Sequence, residues 1–196
     1  MFTLLTKLIP NKILAVYRTG SYLYGLSTDE SDKDYIVIID GFDGGNVIKE
    51  EGYDFFVFGR NYFEKLCNFD DKMMSYFAIW TDNTLLAKDN LEYIDKDYKD
   101  EFERLIKIDW NKHFYTWLKR VVDYFRLRLD GDQKSLYHLF RIKCQVDNFL
   151  KNGKFEYCFD EESKLRALEF KMDPFKHLHE AVEIFSYLES IVEDKS

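Results

Sequence analysis

The sequence predicts an α+β fold in which a small mixed β-sheet is followed by an α-helical domain. Three observations lead to this prediction. Apolar runs of strand length are confined to the chain up to about Gly59. Beyond about Lys99, apolar residues recur at three-to-four spacing, as in amphipathic helices. A charged stretch from about Tyr93 separates the two patterns, and we therefore predict a core over residues 1–98 and a helical domain over residues 99–196.

The strands are predicted from short apolar runs that end at glycines. The run "ILAVYR" (13–18) is a short strand, and "YIVIID" (35–40) is β-branched and apolar on both faces, as in a buried central strand. A third strand is predicted between Gly52 and Gly59, and "GFDGGN" (41–46) is predicted as a turn. Residues 21–26 should form one or two turns of helix that begin at a Gly-Ser pair.

The helices are predicted from the spacing of large apolar side chains. Those between Phe63 and Ile79 predict one or two short helices. A long helix is predicted from about Phe102 to the Asp130-Gly131 pair, because glycine and aspartate are typical of a helix end. Three further helices are predicted over about residues 132–150, 161–170 and 175–192.

Composition limits the classes of function. The chain has 196 residues, 46% of them hydrophobic, which is enough for a substantial core. Its net charge of -8 argues against a protein that is held on nucleic acid by charge alone. The three cysteines form no CxxC pair and are interpreted as reduced thiols. Because no stretch has the length and apolarity of a membrane span, and the N-terminus is not a convincing signal peptide, we expect a cytoplasmic protein that does not enter a membrane.

Carboxylates stand at two places where an apolar strand is predicted. Asp32 and Asp34 are two residues apart, so on a strand they would share a face about 6–7 Å apart. Such a pair is repulsive unless it is protonated, solvated or bound to a cation, and Mg²⁺ prefers oxygen ligands of this kind. Asp54 lies in the apolar run "YDFFVF", where an aspartate without a partner is costly. If its strand pairs beside that of Asp34, three carboxylates could hold two metal ions, as in enzymes of phosphoryl-type displacement.

Two other groups of residues are of types that bind phosphate. Gly20 and Ser21 stand at a predicted strand-to-helix turn, where backbone N–H groups and a hydroxyl can approach phosphate oxygens. Lys134, His138 and Arg141 fall on one face of a predicted helix, at i, i+4 and i+7. This basic face could meet a triphosphate or an RNA backbone, or it could be a solvated polar stripe.

The segment "GSYLYGLSTDESDKD", followed by an aspartate on a later strand, resembles the signature of the DNA polymerase β-type nucleotidyltransferase superfamily. Within it, the sequence is most similar to small bacterial and phage predicted nucleotidyltransferases of the branch linked to RNA repair. The segments "GYDFFVFGRNYFEKL" and "KSLYHLFRIKCQVDNFLKNGK" continue the resemblance, which covers most of Gly20 to Gly153.

The resemblance implies an enzyme that moves a nucleotidyl group from a nucleoside triphosphate to an acceptor with Mg²⁺ or Mn²⁺, the acceptor being RNA or tRNA. Two alternatives stay open: an antitoxin-like enzyme that adds AMP to a protein partner, and a non-catalytic nucleotide-binding regulatory module. The implied catalytic and metal residues are Asp32, Asp34 and Asp54, and the implied nucleotide-binding residues are Gly20, Ser21, Lys134, His138 and Arg141.

Overall fold

The structure, a computed structural model, describes residues 1–29, 31–69, 90–128, 133–155 and 159–194, without the side chains of residues 133 and 134. Backbone contacts divide these residues into two compact units. The first holds the described residues of 1–23, 27–69 and 90–108, and the second those of 24–26 and 109–194. The predicted domain boundary between residues 98 and 99 stays a prediction, since a division by contacts does not show which segments fold independently.

The first unit is built on a mixed β-sheet with the strand order β3-β4-β2-β1-β5 in the described part of the chain. The parallel pair is β2 with β4, and the other neighbours are antiparallel. The strands are β1 (Ile13–Arg18), β2 (Lys33–Ile39), β3 (Gly45–Glu50), β4 (Tyr53–Gly59) and β5 (Leu91–Ile94).

Both faces of this sheet are covered by helices of the same unit. Helix α1 (Phe2–Leu8) packs on one face, where Leu5 joins a buried cluster that includes Val37. The other face carries α2 (Arg60–Cys67) and α3 (Lys99–Leu105): the Phe102 ring lies 5.8 Å from that of Tyr17 on β1 and 6.4 Å from that of Phe63. Coverage on both sides explains why β2 is apolar along almost its whole length.

The second unit is helical. Its helices are α4 (Trp110–Arg126), α5 (Gln133–Asn152), α6 (Glu161–Met172) and α7 (Leu178–Glu193), with a 3-10 turn (Pro174–His177) before α7. Its core is aromatic: the rings of Phe114 and Phe149 are stacked with centroids 4.2 Å apart, and Trp117 lies 4.9 Å from Phe155. Burial of such rings is a large source of stability. In the part of the chain that the structure describes, no helix has the length and apolarity to span a membrane.

The predicted fold class is confirmed, as a mixed sheet and a set of helices. The long helix predicted from Phe102 is in fact two helices, α3 and α4. The division has a local cause, because the Asp109 carboxylate accepts a hydrogen bond from the backbone N–H of Lys112 and so begins a new helix. Strands β3 and β5 and helix α1 were not predicted.

Three sequence interpretations fall outside the described residues. They are the apolar positions from Met73 to Ile79, the helix end at Asp130-Gly131, and the thiol of Cys158. Cys67 and Cys144 are free thiols, as expected.

Candidate functional site

The register of the parallel strands places two of the predicted carboxylates side by side. Asp34 on β2 is directly opposite Asp54 on β4, and residues opposite each other on neighbouring strands share a face of the sheet. By alternation, this is the face covered by α2 and α3. Asp54 is 8% exposed, and Asp34 is half-buried at the start of its strand. The pairing on which the predicted acidic cluster depended is therefore present.

Asp32 lies one residue before β2 and is exposed. In the described part of the chain, no group of three or more His, Cys, Asp or Glu side chains is arranged to hold a metal ion. The role of Asp32 as a ligand stays a prediction.

A lysine that the sequence pattern did not predict binds the acidic pair. Lys49 on β3 is directly opposite Asp54, and its Nζ lies 2.5 Å from Asp54 Oδ2. This hydrogen bond is the main reason that the pKa of Lys49 is raised, and the charges of Asp54, Asp32 and Asp34 raise it further. The ammonium group thus lies in the field of all the predicted catalytic carboxylates. Lysine, two aspartates and the backbone at Gly20 form one row across the sheet, which we call the acidic row.

The turn between β3 and β4 sets this arrangement. Glu50 pairs with Tyr53, which leaves Glu51 and Gly52 as a two-residue loop. Both have positive φ, 50° and 76°, as a type I′ hairpin turn requires. A lysine five residues before an aspartate, with such a loop between them, was the signal available in the sequence. It was hard to recognise because β3 is mostly exposed and has no apolar pattern.

Gly20 stands at the end of the acidic row, against Asp34. Its φ is +72°, and a Cβ at this position would lie only 1.9 Å from Asp34 Oδ2. The preceding residue, Thr19, donates its backbone N–H to the carbonyl oxygen of Asp34 at 2.9 Å. Glycine is therefore required for the Asp34 carboxylate to lie against the backbone. Gly20 begins a 3-10 helix (Gly20–Tyr24), where the sequence predicted a turn or two of helix from Ser21. Contact of Gly20 and Ser21 with phosphate stays a prediction.

The three predicted nucleotide-binding residues on α5 belong to the second unit. The Lys134 side chain lies outside the described residues, and His138 is half-buried beside the ring of Tyr137. Arg141 is 1% exposed: its Nη1 donates to the hydroxyl of Tyr24 and, at 3.3 Å, to Gln145 Oε1. The guanidinium of Arg141 is therefore part of a buried polar network in the second unit. Contact of these residues with a nucleotide stays a prediction.

The donor set of the acidic row suits a hard divalent cation. Mg²⁺ is usually held by one or two carboxylates, with waters and substrate phosphates as its other ligands. Asp34 and Asp54 supply two carboxylates in register, and the ammonium of Lys49 already lies against one of them as a cation. The residues present therefore fit such an ion, with Lys49 as a positively charged neighbour that it must accommodate.

Comparisons with known proteins give a weak structural likeness. No protein-family profile matches the chain, and no curated protein matches it. A nucleotidyltransferase-like protein from Exiguobacterium sibiricum 255-15 is similar in structure, with a TM-score of 0.33 and 11% sequence identity. The similarity covers 99% of this chain and 73% of the other. We therefore base the function proposed below on the residues of this chain.

Proposed function

We propose that this chain is a nucleotidyltransferase that binds Mg²⁺ or Mn²⁺ at the acidic row and takes a nucleoside triphosphate as its nucleotidyl donor. The observation that supports this most is the placement of Asp34 directly opposite Asp54, next to a glycine whose Cα lies against the Asp34 carboxylate. The sequence signature that joins these residues, Gly-Ser followed by Asp-x-Asp, points to the same chemistry.

Charge balance supports a cation at this place. Asp32, Asp34 and Asp54 bring three negative charges into the neighbourhood of Lys49, which brings one positive charge. Asp54 is buried and a buried carboxylate needs a partner; Lys49 is its partner here, and a metal ion bound at Asp54 would take over that role. A divalent cation would offset negative charge on the carboxylates, and its phosphate ligands would keep the triphosphate beside them.

The proposed roles follow from position. Asp34 and Asp54, with Asp32, would hold the divalent cation, which when bound would stabilise the charge of the phosphates in transfer. Ser21, the residue after Gly20, donates its hydroxyl to a terminal phosphate. Asp54 accepts the proton of the attacking hydroxyl, whose oxygen bonds to the α-phosphorus as pyrophosphate leaves.

The acceptor that we propose is RNA or tRNA, on the resemblance of the sequence to the RNA-repair branch. The net charge of -8 is the observation that favours the alternative, a hydroxyl of a protein partner that would receive AMP, since an acidic chain gains little from polyanion attraction. Incubation with each radiolabelled triphosphate, total RNA and cell protein separates the two by the fraction that becomes labelled. A nucleotide-binding module without activity would bind triphosphate and label neither.

The metal site is tested by the double variant Asp32→Asn/Asp34→Asn. It should lose Mn²⁺-dependent triphosphate binding, measured by calorimetry. Its melting temperature without metal should be equal to or higher than that of the wild type, because mutual repulsion of the carboxylates is reduced.

The matched control is Asp40→Asn/Asp43→Asn, which removes two exposed carboxylates beyond the other end of β2. The control should bind Mn²⁺ and triphosphate as the wild type does. Unchanged metal-dependent binding in Asp32→Asn/Asp34→Asn would remove these residues from the site and overturn the proposed function.

A further inference from the structure

Lys49 carries a positive charge at the place where the proposed function requires a metal ion. Its Nζ lies 2.5 Å from Asp54 Oδ2. Its side chain is 68% exposed, while that of Asp54 is 11% exposed. The lysine can therefore move away from the carboxylate into solvent, whereas the buried aspartate cannot follow it.

We infer that Lys49 is a tethered competitor of the divalent cation: its ammonium group occupies Asp54 in the metal-free protein and has to move away before the ion binds there. The inference rests on the proposed function, since it concerns the same carboxylates. It adds a residue that sets the affinity of the site for metal, and with it the metal concentration at which the triphosphate binds.

Two features of the sheet make the competition specific. The first is register, because the hairpin holds Lys49 opposite Asp54, where cross-strand side chains are in contact. The second is position, because β3 is at the edge of the described sheet and the lysine has solvent beside it. A lysine on a central strand would be confined at the carboxylate, while one in a flexible loop would reach it only part of the time.

The competition lowers the apparent metal affinity by the fraction of protein in which Asp54 is free of the ammonium group. Released from Asp54, the ammonium remains near the acidic row, where bound triphosphate would offer it a phosphate oxygen. With metal and triphosphate both bound, the metal ion would replace the ammonium group at Asp54 and the ammonium group would bind a phosphate oxygen. Affinity for Mn²⁺ should accordingly be higher when triphosphate is present.

The experiment is a Mn²⁺ titration, followed by electron paramagnetic resonance of the free ion, of the wild type and three variants. Lys49→Gln removes the competing charge and should tighten Mn²⁺ binding by about tenfold, since a hydrogen bond between charged groups no longer has to be broken. Lys49→Arg keeps the charge and should bind Mn²⁺ no more tightly than the wild type. Lys33→Gln is the matched control, because Lys33 is an exposed lysine on β2 near the ring of Tyr53.

The control removes the same charge from the other face of the sheet, where Lys33 is opposite Tyr53 and not Asp54, so it should change the affinity by much less than Lys49→Gln does. If Lys49→Gln and Lys33→Gln changed the Mn²⁺ affinity equally, the effect would come from net charge and not from the contact with Asp54, and the inference would be overturned. Weaker Mn²⁺ binding by Lys49→Gln than by the wild type would also overturn it. In both cases the proposed function stands if the wild type binds Mn²⁺ and the double variant Asp32→Asn/Asp34→Asn, described above, does not. If neither the wild type nor Lys49→Gln binds Mn²⁺, the proposed function falls and the inference falls with it.

Thermal unfolding is a second readout that does not depend on activity. Without metal, Lys49→Gln should melt below the wild type, because the charged donor to the buried carboxylate of Asp54 is lost. Saturating Mn²⁺ should raise its melting temperature by more than it raises that of the wild type, as tighter binding to the folded state requires. Equal shifts in the two proteins would count against the competition.

Discussion

Replacing Arg141 by alanine should destabilise the protein, because this arginine is buried and hydrogen-bonded within the second unit. The side chain is 1% exposed and donates to the Tyr24 hydroxyl and to Gln145. Truncation removes a large buried side chain, at a cost of about 2–5 kcal/mol for core residues of this size. It also removes a donor from the Gln145 amide oxygen and one of the donors from the Tyr24 hydroxyl, at about 1–3 kcal/mol for a buried group.

The two terms overlap, so we expect a total loss of about 3–5 kcal/mol of unfolding free energy. For a chain of this length, that corresponds to a fall in melting temperature of roughly 10 °C or more. Arg141→Met fills most of the space and loses only the hydrogen bonds, so its loss should be smaller, at about 1–3 kcal/mol. Tyr24→Phe removes the hydroxyl that accepts from Arg141 and should cost a similar amount.

Urea unfolding of the two single variants, Arg141→Met and Tyr24→Phe, and of their double variant measures the coupling directly. The double variant should lose less than the sum of the singles, by about 0.5–3 kcal/mol, as expected for groups that share a hydrogen bond. Additive losses, or an Arg141→Ala protein as stable as the wild type, would refute the assignment of this arginine to a buried network. Triphosphate affinity is measured on the same proteins, because contact of Arg141 with a nucleotide predicts a loss of binding beyond the loss of folded protein.

Two further predictions concern Gly20 and Trp117. Gly20→Ala should abolish metal-dependent triphosphate binding in calorimetry, because its Cβ would lie 1.9 Å from Asp34 Oδ2. Gly153→Ala is the control, since Gly153 has a similar positive φ but nothing within 4 Å of a Cβ. The control should share only the backbone strain of roughly 1–2 kcal/mol and should still bind the triphosphate. Normal binding by Gly20→Ala would contradict the placement of Asp34. Trp117→Ala should lose about 3–5 kcal/mol of unfolding free energy, measured with urea, because the Trp117 ring is wholly buried in the aromatic core of the second unit. A loss below about 1 kcal/mol would contradict that position.

The sheet could be predicted from sequence where its strands bury apolar side chains. The strand "YIVIID" is predictable because a β-branched run that is apolar on both faces is typical of a buried central strand, and Asp54 stands out as an aspartate within a similar run. Strand β3 has almost no buried residue and therefore no hydrophobic pattern, so Lys49 could not be placed beside Asp54. Pairing of strands that are remote in sequence is fixed by tertiary packing, which local patterns do not encode.

The basic face of α5 could be predicted from sequence, but its surroundings could not. Spacing at i, i+4 and i+7 shows that side chains share a face of a helix, but it does not show whether that face meets solvent or protein. The hydroxyl that accepts from Arg141 belongs to Tyr24, 117 residues earlier in the chain. A buried arginine and a phosphate-binding arginine can occupy the same position in the helical spacing, and only the groups that contact the arginine distinguish them.

The length of the Glu51-Gly52 loop determines which side chain of β3 stands opposite Asp54 in the acidic row. One residue inserted there would shift β3 against β4, and a side chain from the other face of β3 would then stand opposite Asp54. Lys49 would be withdrawn from the carboxylate while every residue of the row remained in the sequence. Relatives that keep all these residues but differ in the length of this hairpin should therefore differ in their affinity for the metal ion. A comparison of substitutions alone would not reveal that difference.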